Sequence, residues 1–179
     1  MIVFLKNCLQ HNNNGFILRI VLTLISFEIL KQYKNDKYFL IILPVLLTVL
    51  DLADNAFVKY AEWKKSPSLI FNRTNCTTKS RYYQNVDKII DMASYILAYL
   101  YFYDVIKDTL LEYFIAFRFI GVTMFLMTSN KYYLVIFFDF VKEYMLYKYF
   151  FNNNSYVLII CMILKILFEY VMHIKMNQV

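Results

Sequence analysis

The chain has 179 residues, of which 60% are hydrophobic and 20% aromatic, and its formal net charge is +6. This apolar content is far above that of soluble proteins and predicts an all-α integral membrane protein, because helices satisfy their own backbone hydrogen bonds in lipid. With two glycines and three widely spaced cysteines, the chain shows no glycine-rich phosphate loop, disulfide framework or zinc pattern. The positive charge indicates topology and contact with anionic membrane lipids, and no nucleic-acid partner is expected.

Apolar segments separated by short polar breaks predict one membrane domain covering residues 1–179. Residues 1–15 join a short apolar run to a polar tract, and we interpret them as an interfacial helix leading into the membrane. A bundle of about six transmembrane helices follows, since each apolar segment is near the roughly 20 residues that cross the hydrocarbon core. The predicted spans are about 16–30, 38–59, 86–103, 109–127, 132–151 and 156–174.

The longest polar stretch, residues 60–85, is basic. The positive-inside rule therefore predicts that this loop is cytoplasmic, and six spans then place both termini in the cytoplasm. The loop 31–37 contains three lysines. It falls on the outer side of the membrane in this topology and disagrees with the rule.

Two pairs of aspartates lie at the cytoplasmic edge of neighbouring predicted spans. Asp51 and Asp54 lie in the last third of the second span, and Asp87 and Asp91 lie in the first turns of the third. Spacings of three and four residues place each pair on one face of its helix. Carboxylates are the ligands that Mg²⁺ and Mn²⁺ prefer, and four of them carry enough charge for two ions. Two such ions predict displacement at phosphorus, at the cytoplasmic surface of the membrane.

These aspartates belong to a longer pattern. The chain reads Asp51-Leu-Ala-Asp54-Asn55-Ala-Phe-Val58-Lys59 and, after a spacer, Tyr83-Gln-Asn-Val-Asp87-Lys-Ile-Ile-Asp91. This arrangement resembles the CDP-alcohol phosphatidyltransferase family, whose patterns D-x-x-D-G-x-x-A-R and G-x-x-x-D-x-x-x-D lie on the second and third of six transmembrane helices. All four aspartates match the family in spacing and in their placement on these helices.

The resemblance implies an enzyme of phospholipid synthesis that transfers a phosphatidyl-type group from a CDP-linked lipid to a polar alcohol. Asp91 would be the base on the alcohol, which attacks the β-phosphorus and releases CMP. Asn55 and Lys59 would lie beside the nucleotide, with Lys59 as a phosphate contact. The family often forms homodimers, which makes a homodimer an expected assembly. Its two metal ions, Mg²⁺ or Mn²⁺, would be held by Asp51, Asp54, Asp87 and Asp91.

Four positions differ from the family pattern. The two glycines are replaced by Asn55 and Tyr83, the alanine by Val58 and the arginine by Lys59. The first two add bulk where the nucleotide approaches, and Lys59 keeps a positive charge without the planar fork of arginine. A relative that binds lipid or nucleotide without turnover is therefore an alternative. A small transporter or structural membrane protein is another, and it predicts that the two aspartate pairs face different ways.

Plainer roles remain open for the charged residues. The four aspartates can instead be interfacial carboxylates that pair with Lys59, Lys88 or Arg81. Arg118 has two interpretations, either as a contact to a substrate phosphate or head group, or as an ion-pair partner within the bundle. Its candidate ion-pair partners are Glu112 and Asp139. Separately, Lys165 and Glu169 are four residues apart on a helix and are predicted to pair with each other.

Overall fold

The computed structural model describes residues 2–65, 81–151 and 154–175, with side chains from residue 15 onward except those of 54–65, 81 and 175. This part of the chain is helical and contains no β-strand, which confirms the all-α prediction. A π-helical turn, Val171–Lys175, ends the described chain. The helices before it are α1 Ile2–Lys31, α2 Phe39–Lys65, α3 Arg81–Tyr101, α4 Tyr103–Ile106, α5 Thr109–Thr128, α6 Tyr132–Ile136, α7 Val141–Phe151 and α8 Ser155–Tyr170.

Two helical segments of the described chain are long and apolar enough to cross a membrane. They are Thr109–Thr128, and Ser155–Ile174 with its π-helical end, of 20 residues each and with mean hydropathies of 1.7 and 2.2. Both coincide with predicted spans. Only 11% of the Ser155–Ile174 window is buried inside the protein, so most of its apolar side chains face outward. Such a face is typical of a helix that contacts lipid.

Aromatic side chains form much of the core between the first three long helices. Phe102 follows α3, and its ring lies 5.4 Å from the ring of Phe27 on α1 and 4.9 Å from that of Phe39 on α2. All three side chains are almost fully buried. Helix α1 thus packs against both α2 and α3, α2 packs against α7, and α3 packs against α5. The contacts of α1 with α2 and α3, and of α2 with α7, bring these four helices together around one region.

The boundaries of the first helices differ from the sequence prediction. Residues 2–15 and the first predicted span form one continuous helix, α1, because no proline interrupts them. The predicted loop 60–85 is also shorter than expected, since α2 continues to Lys65 and α3 begins at Arg81. Residues 66–80, the centre of that basic loop, lie outside the described chain.

The predicted fifth span, 132–151, is wrong as one continuous helix. The chain leaves the helical path between Ile136 and Val141, separating α6 from α7. Arg118 on α5 compensates, because its Nη1 donates to the carbonyl oxygens of Leu134 at 3.0 Å and Phe137 at 2.9 Å. Buried carbonyls that lose their helical partners need another donor. Neither glycine nor proline marks this break in the sequence, so apolar periodicity alone did not reveal it.

A glycine on α5 allows the broken segment to approach closely. A Cβ atom added to Gly121 would lie 2.2 Å from Cβ of Phe137 and 3.2 Å from the carbonyl oxygen of Tyr133. The Cβ atom of Phe137 is fixed to its backbone, so it cannot give way by a change of rotamer. The absence of a side chain at residue 121 therefore sets the distance between α5 and the break.

Replacing Gly121 by alanine is expected to destabilise the protein. Overpacking of this kind costs about 1–3 kcal/mol, which exceeds the gain of about 1 kcal/mol that alanine brings to a helix interior. Thermal unfolding in detergent micelles, followed by circular dichroism, measures the effect. The control is Thr123→Ala, an exposed position of the same helix, which should stay within about 0.5 kcal/mol. An equal or higher unfolding temperature for Gly121→Ala would contradict the close contact.

Candidate functional site

Three of the four predicted aspartates come together. Asp51 on α2 meets Asp87 and Asp91 on α3, and one carboxylate oxygen of each lies within 4.8 Å of the others. Asp91 is buried, whereas Asp51 and Asp87 are partly buried. At these three residues the two helices therefore present acidic faces to each other, whereas a small transporter or structural membrane protein is expected to have aspartate pairs that face different ways. The side chain of Asp54 lies outside the described residues.

Arg19 on α1 inserts its guanidinium between these carboxylates and is only 3% exposed. Its Nη1 lies 3.1 Å from Oδ1 of Asp87 and 3.3 Å from Oδ1 of Asp51. Its Nη2 donates a hydrogen bond to Oδ1 of Asp91. Because α1 packs against both α2 and α3, one arginine reaches carboxylates of both helices.

Two lysines hold the other oxygens of the same carboxylates. Nζ of Lys88 lies 2.9 Å from Oδ2 of Asp87 and 3.1 Å from Oδ2 of Asp91. Nζ of Lys142, at the start of α7, lies 3.6 Å from Oδ2 of Asp51. Among the described side chains of this cluster, three carboxylates thus face three cations. Balanced charge is what a partly buried ionic cluster requires, since an unpaired charge there is costly.

A hydrogen bond places Lys142 in this cluster. Tyr95 lies one turn beyond Asp91 on α3, and its hydroxyl donates to Oδ2 of Asp139 at 2.6 Å. Asp139 lies in the break before α7, and its Oδ1 accepts from the backbone N–H of Val141 at 3.4 Å. Both side chains are buried. The pair therefore fixes the start of α7 against α3. Lys142 belongs to this first turn of α7 and is positioned with it.

The altered motif positions fall in different places. Tyr83, where the family has its second glycine, is buried, and its ring packs 5.1 Å from the ring of Phe16 on α1. Its bulk is thus taken up by the contact between α1 and α3. The side chains of Asn55 and Lys59, both predicted to touch substrate, lie outside the described residues.

Arg118 does not form the ion pair with Glu112 or Asp139 that the sequence offered as one of its two roles. It is 1% exposed and holds the two carbonyls at the helix break described above. Of its two candidate partners, Asp139 accepts from Tyr95, and Glu112 accepts a hydrogen bond from Tyr99. This places Arg118 in the support of the bundle.

The second predicted ion pair is confirmed and extended. Nζ of Lys165 on α8 lies 3.6 Å from Oε1 of Glu169. Lys165 also donates to Glu143 on α7, and His173 in the π-helical turn lies 2.8 Å from the second oxygen of Glu169. This network attaches α8 to α7.

Sequence reasoning missed Arg19 and Lys142 as members of the cluster. One signal was available. Carboxylates at membrane depth are usually paired with nearby charged groups, and both residues lie within predicted spans.

A scan against protein-family models, a search of curated proteins and a search of solved structures each found no match.

Removing the Tyr95 hydroxyl should weaken the attachment of α7. In Tyr95→Phe the buried carboxylate of Asp139 loses a donor, and such a loss costs about 1–3 kcal/mol. Thermal unfolding of the full chain in micelles is the measurement. Tyr113→Phe is the matched control, since Tyr113 is 67% exposed, and it should change stability by less than about 0.5 kcal/mol. Equal unfolding temperatures for both variants would show that this hydrogen bond does not stabilise the fold.

Proposed function

We propose that this chain is a multi-pass membrane enzyme that transfers a phosphatidyl-type group from a CDP-linked lipid to a polar alcohol and releases CMP. The observation that carries the proposal is the convergence of Asp51, Asp87 and Asp91. Asp87 and Asp91 follow Asp51 by 36 and 40 residues in the sequence, yet one carboxylate oxygen of each lies within 4.8 Å of the others. The same residues match the spacing of the CDP-alcohol phosphatidyltransferase motif.

The donor set suits a divalent ion. Carboxylate oxygens are hard ligands, and a group of three within 4.8 Å can share one Mg²⁺ or Mn²⁺ ion. Asp54 lies one turn from Asp51 on α2 and supplies the fourth carboxylate by its spacing, which is the basis for a second ion. When bound, such ions neutralise charge on a diphosphate and stabilise the leaving oxygen.

The residues of the chain then take distinct parts. Asp51, Asp54 and Asp87 hold the ions, and Asp91 also accepts the proton of the incoming alcohol. Lys88 contacts the second oxygen of Asp91 and keeps that carboxylate oriented. Lys59 and Asn55, one to two turns beyond Asp51, are assigned to the nucleotide by their motif positions. Arg118 is left out of the substrate contacts, because its buried guanidinium holds two backbone carbonyls.

We place the site at the cytoplasmic surface of a six-span bundle. The lengths and apolar composition of Thr109–Thr128 and Ser155–Ile174 support a location in the membrane. The basic residues between α2 and α3 supply the orientation under the positive-inside rule. A cytoplasmic site suits a reaction whose donor carries a nucleotide and whose acceptor is a polar alcohol.

A second candidate function has its own supporting observation. Three carboxylates are matched by Arg19, Lys88 and Lys142 within the described part of the cluster. Such a balance also suits a non-catalytic membrane protein, or an inactive relative, in which the charges only fix the helices. This candidate requires no metal and no turnover.

CMP release from CDP-diacylglycerol distinguishes the two candidates. The full chain in micelles or vesicles, with Mg²⁺ or Mn²⁺ and a panel of alcohols, should release CMP only when metal is present. Asp91→Asn should lower the rate by about 10²–10⁴-fold, the range typical of a lost general base. The control is Asp104→Asn, whose side chain is 81% exposed and which should leave the rate unchanged.

Thermal unfolding verifies that Asp91→Asn is folded before its rate is compared. Absence of metal-dependent CMP release with every acceptor, or an unchanged rate in Asp91→Asn, would reject the enzyme. The non-catalytic candidate would then be the better account of the cluster.

A further inference from the structure

The two oxygens of each carboxylate in the cluster contact different cations. All three Oδ1 atoms, those of Asp51, Asp87 and Asp91, face the guanidinium of Arg19. The Oδ2 atoms face Lys88 or Lys142 instead. Arg19 therefore lies at the point where the three acidic side chains converge, and the lysines lie around it.

A divalent ion shared by the three carboxylates would need the same space. The ion must lie about 2.0–2.2 Å from each ligand oxygen, whereas the nitrogens of Arg19 are already within hydrogen-bonding distance of the Oδ1 atoms. Both are positively charged, so they also repel each other in this partly buried place. Arginine and metal cannot both occupy the convergence point.

We propose that Arg19 is an internal counter-ion that competes with the divalent metal for Asp51, Asp87 and Asp91. Metal enters only when the guanidinium leaves the Oδ1 atoms. This inference rests on the metal site of the proposed function and adds a control on its affinity. Arg19 holds three like charges together when no metal is bound. It also lowers the affinity of the site for metal, because its guanidinium must first be displaced.

Lys142 provides a matched comparison. Arg19→Gln and Lys142→Gln each remove one positive charge from the same cluster. Of these two residues, Arg19 contacts the Oδ1 atoms, whereas Lys142 lies 3.6 Å from Oδ2 of Asp51. A general effect of charge predicts equal changes in the two variants, whereas competition for one position predicts a larger change for Arg19.

The experiment measures binding of Mn²⁺ alone to the full chain in detergent micelles, without nucleotide or lipid donor. Free Mn²⁺ is followed by electron paramagnetic resonance. Arg19→Gln should bind Mn²⁺ about tenfold or more tightly than the unaltered chain, because coupling between close charges at buried sites reaches this size. Lys142→Gln should gain clearly less.

Three results would overturn the inference. They are an affinity of Arg19→Gln for Mn²⁺ no higher than that of the unaltered chain, an equal gain of affinity in the two variants, and the absence of Mn²⁺ binding in every form of the protein. Each of these shows that Arg19 does not hold the metal position. If Arg19→Gln is not recovered as a folded protein, Arg19→Lys replaces it. A single ammonium cannot reproduce the fork of contacts to three carboxylates. Mn²⁺ should then raise the unfolding temperature of Arg19→Lys more than that of the unaltered chain, and equal shifts would overturn the inference.

The outcome is independent of turnover. If metal-dependent CMP release is found and Arg19→Gln binds Mn²⁺ no better, the proposed enzyme stands and the competition is rejected. If Arg19→Gln binds Mn²⁺ more tightly and no CMP is released, the competition stands and phosphatidyl transfer is rejected.

Discussion

The cost of burying charge governs this structure. A carboxylate away from water is tolerated only when a cation or a set of donors compensates for its lost hydration. Asp51, Asp87 and Asp91 are gathered between helices, and Arg19 is the group that reaches all three. The packing of α1 against both α2 and α3 follows the same requirement, because an arginine on α1 has carboxylates to contact on each neighbour.

The same constraint explains the break in the predicted fifth span. Carbonyls freed at the end of α6 need a donor, and Arg118 supplies it to Leu134 and Phe137. Asp139, which accepts from the first N–H of α7, is itself held by Tyr95. Irregular backbone is thus kept inside the bundle by buried polar side chains, and it directs Lys142 toward Asp51. Two arginines therefore serve different needs, one neutralising carboxylates and the other satisfying carbonyls.

The chemistry available to the cluster depends on which cation occupies it. The three carboxylates that contact Arg19 also lie close enough together to hold a metal ion. The same arrangement of helices therefore suits two kinds of protein, a bundle stabilised by ion pairs and a metal-dependent transferase. They differ in whether the guanidinium of Arg19 is displaced. The bulk of Tyr83 is accommodated on α1, where its ring lies 5.1 Å from the ring of Phe16. Tyr83 leaves the approach of Asp87 to Asp51 intact.

The sequence by itself determined the helical class, the apolar segments at 109–127 and 156–174, and the aspartates that meet. These features are local, since apolar length and the three- or four-residue spacing of side chains are set by one helix at a time. Among the partners of those aspartates, the sequence indicated Lys88, whereas only the tertiary structure decided Arg19 and Lys142. Arg19 and Lys142 lie 32 residues before and 91 residues after Asp51, and their contacts depend on which helices pack together. The break at residues 137–140 was likewise decided by Arg118 and Gly121 on α5, because the segment itself contains no residue that ends a helix.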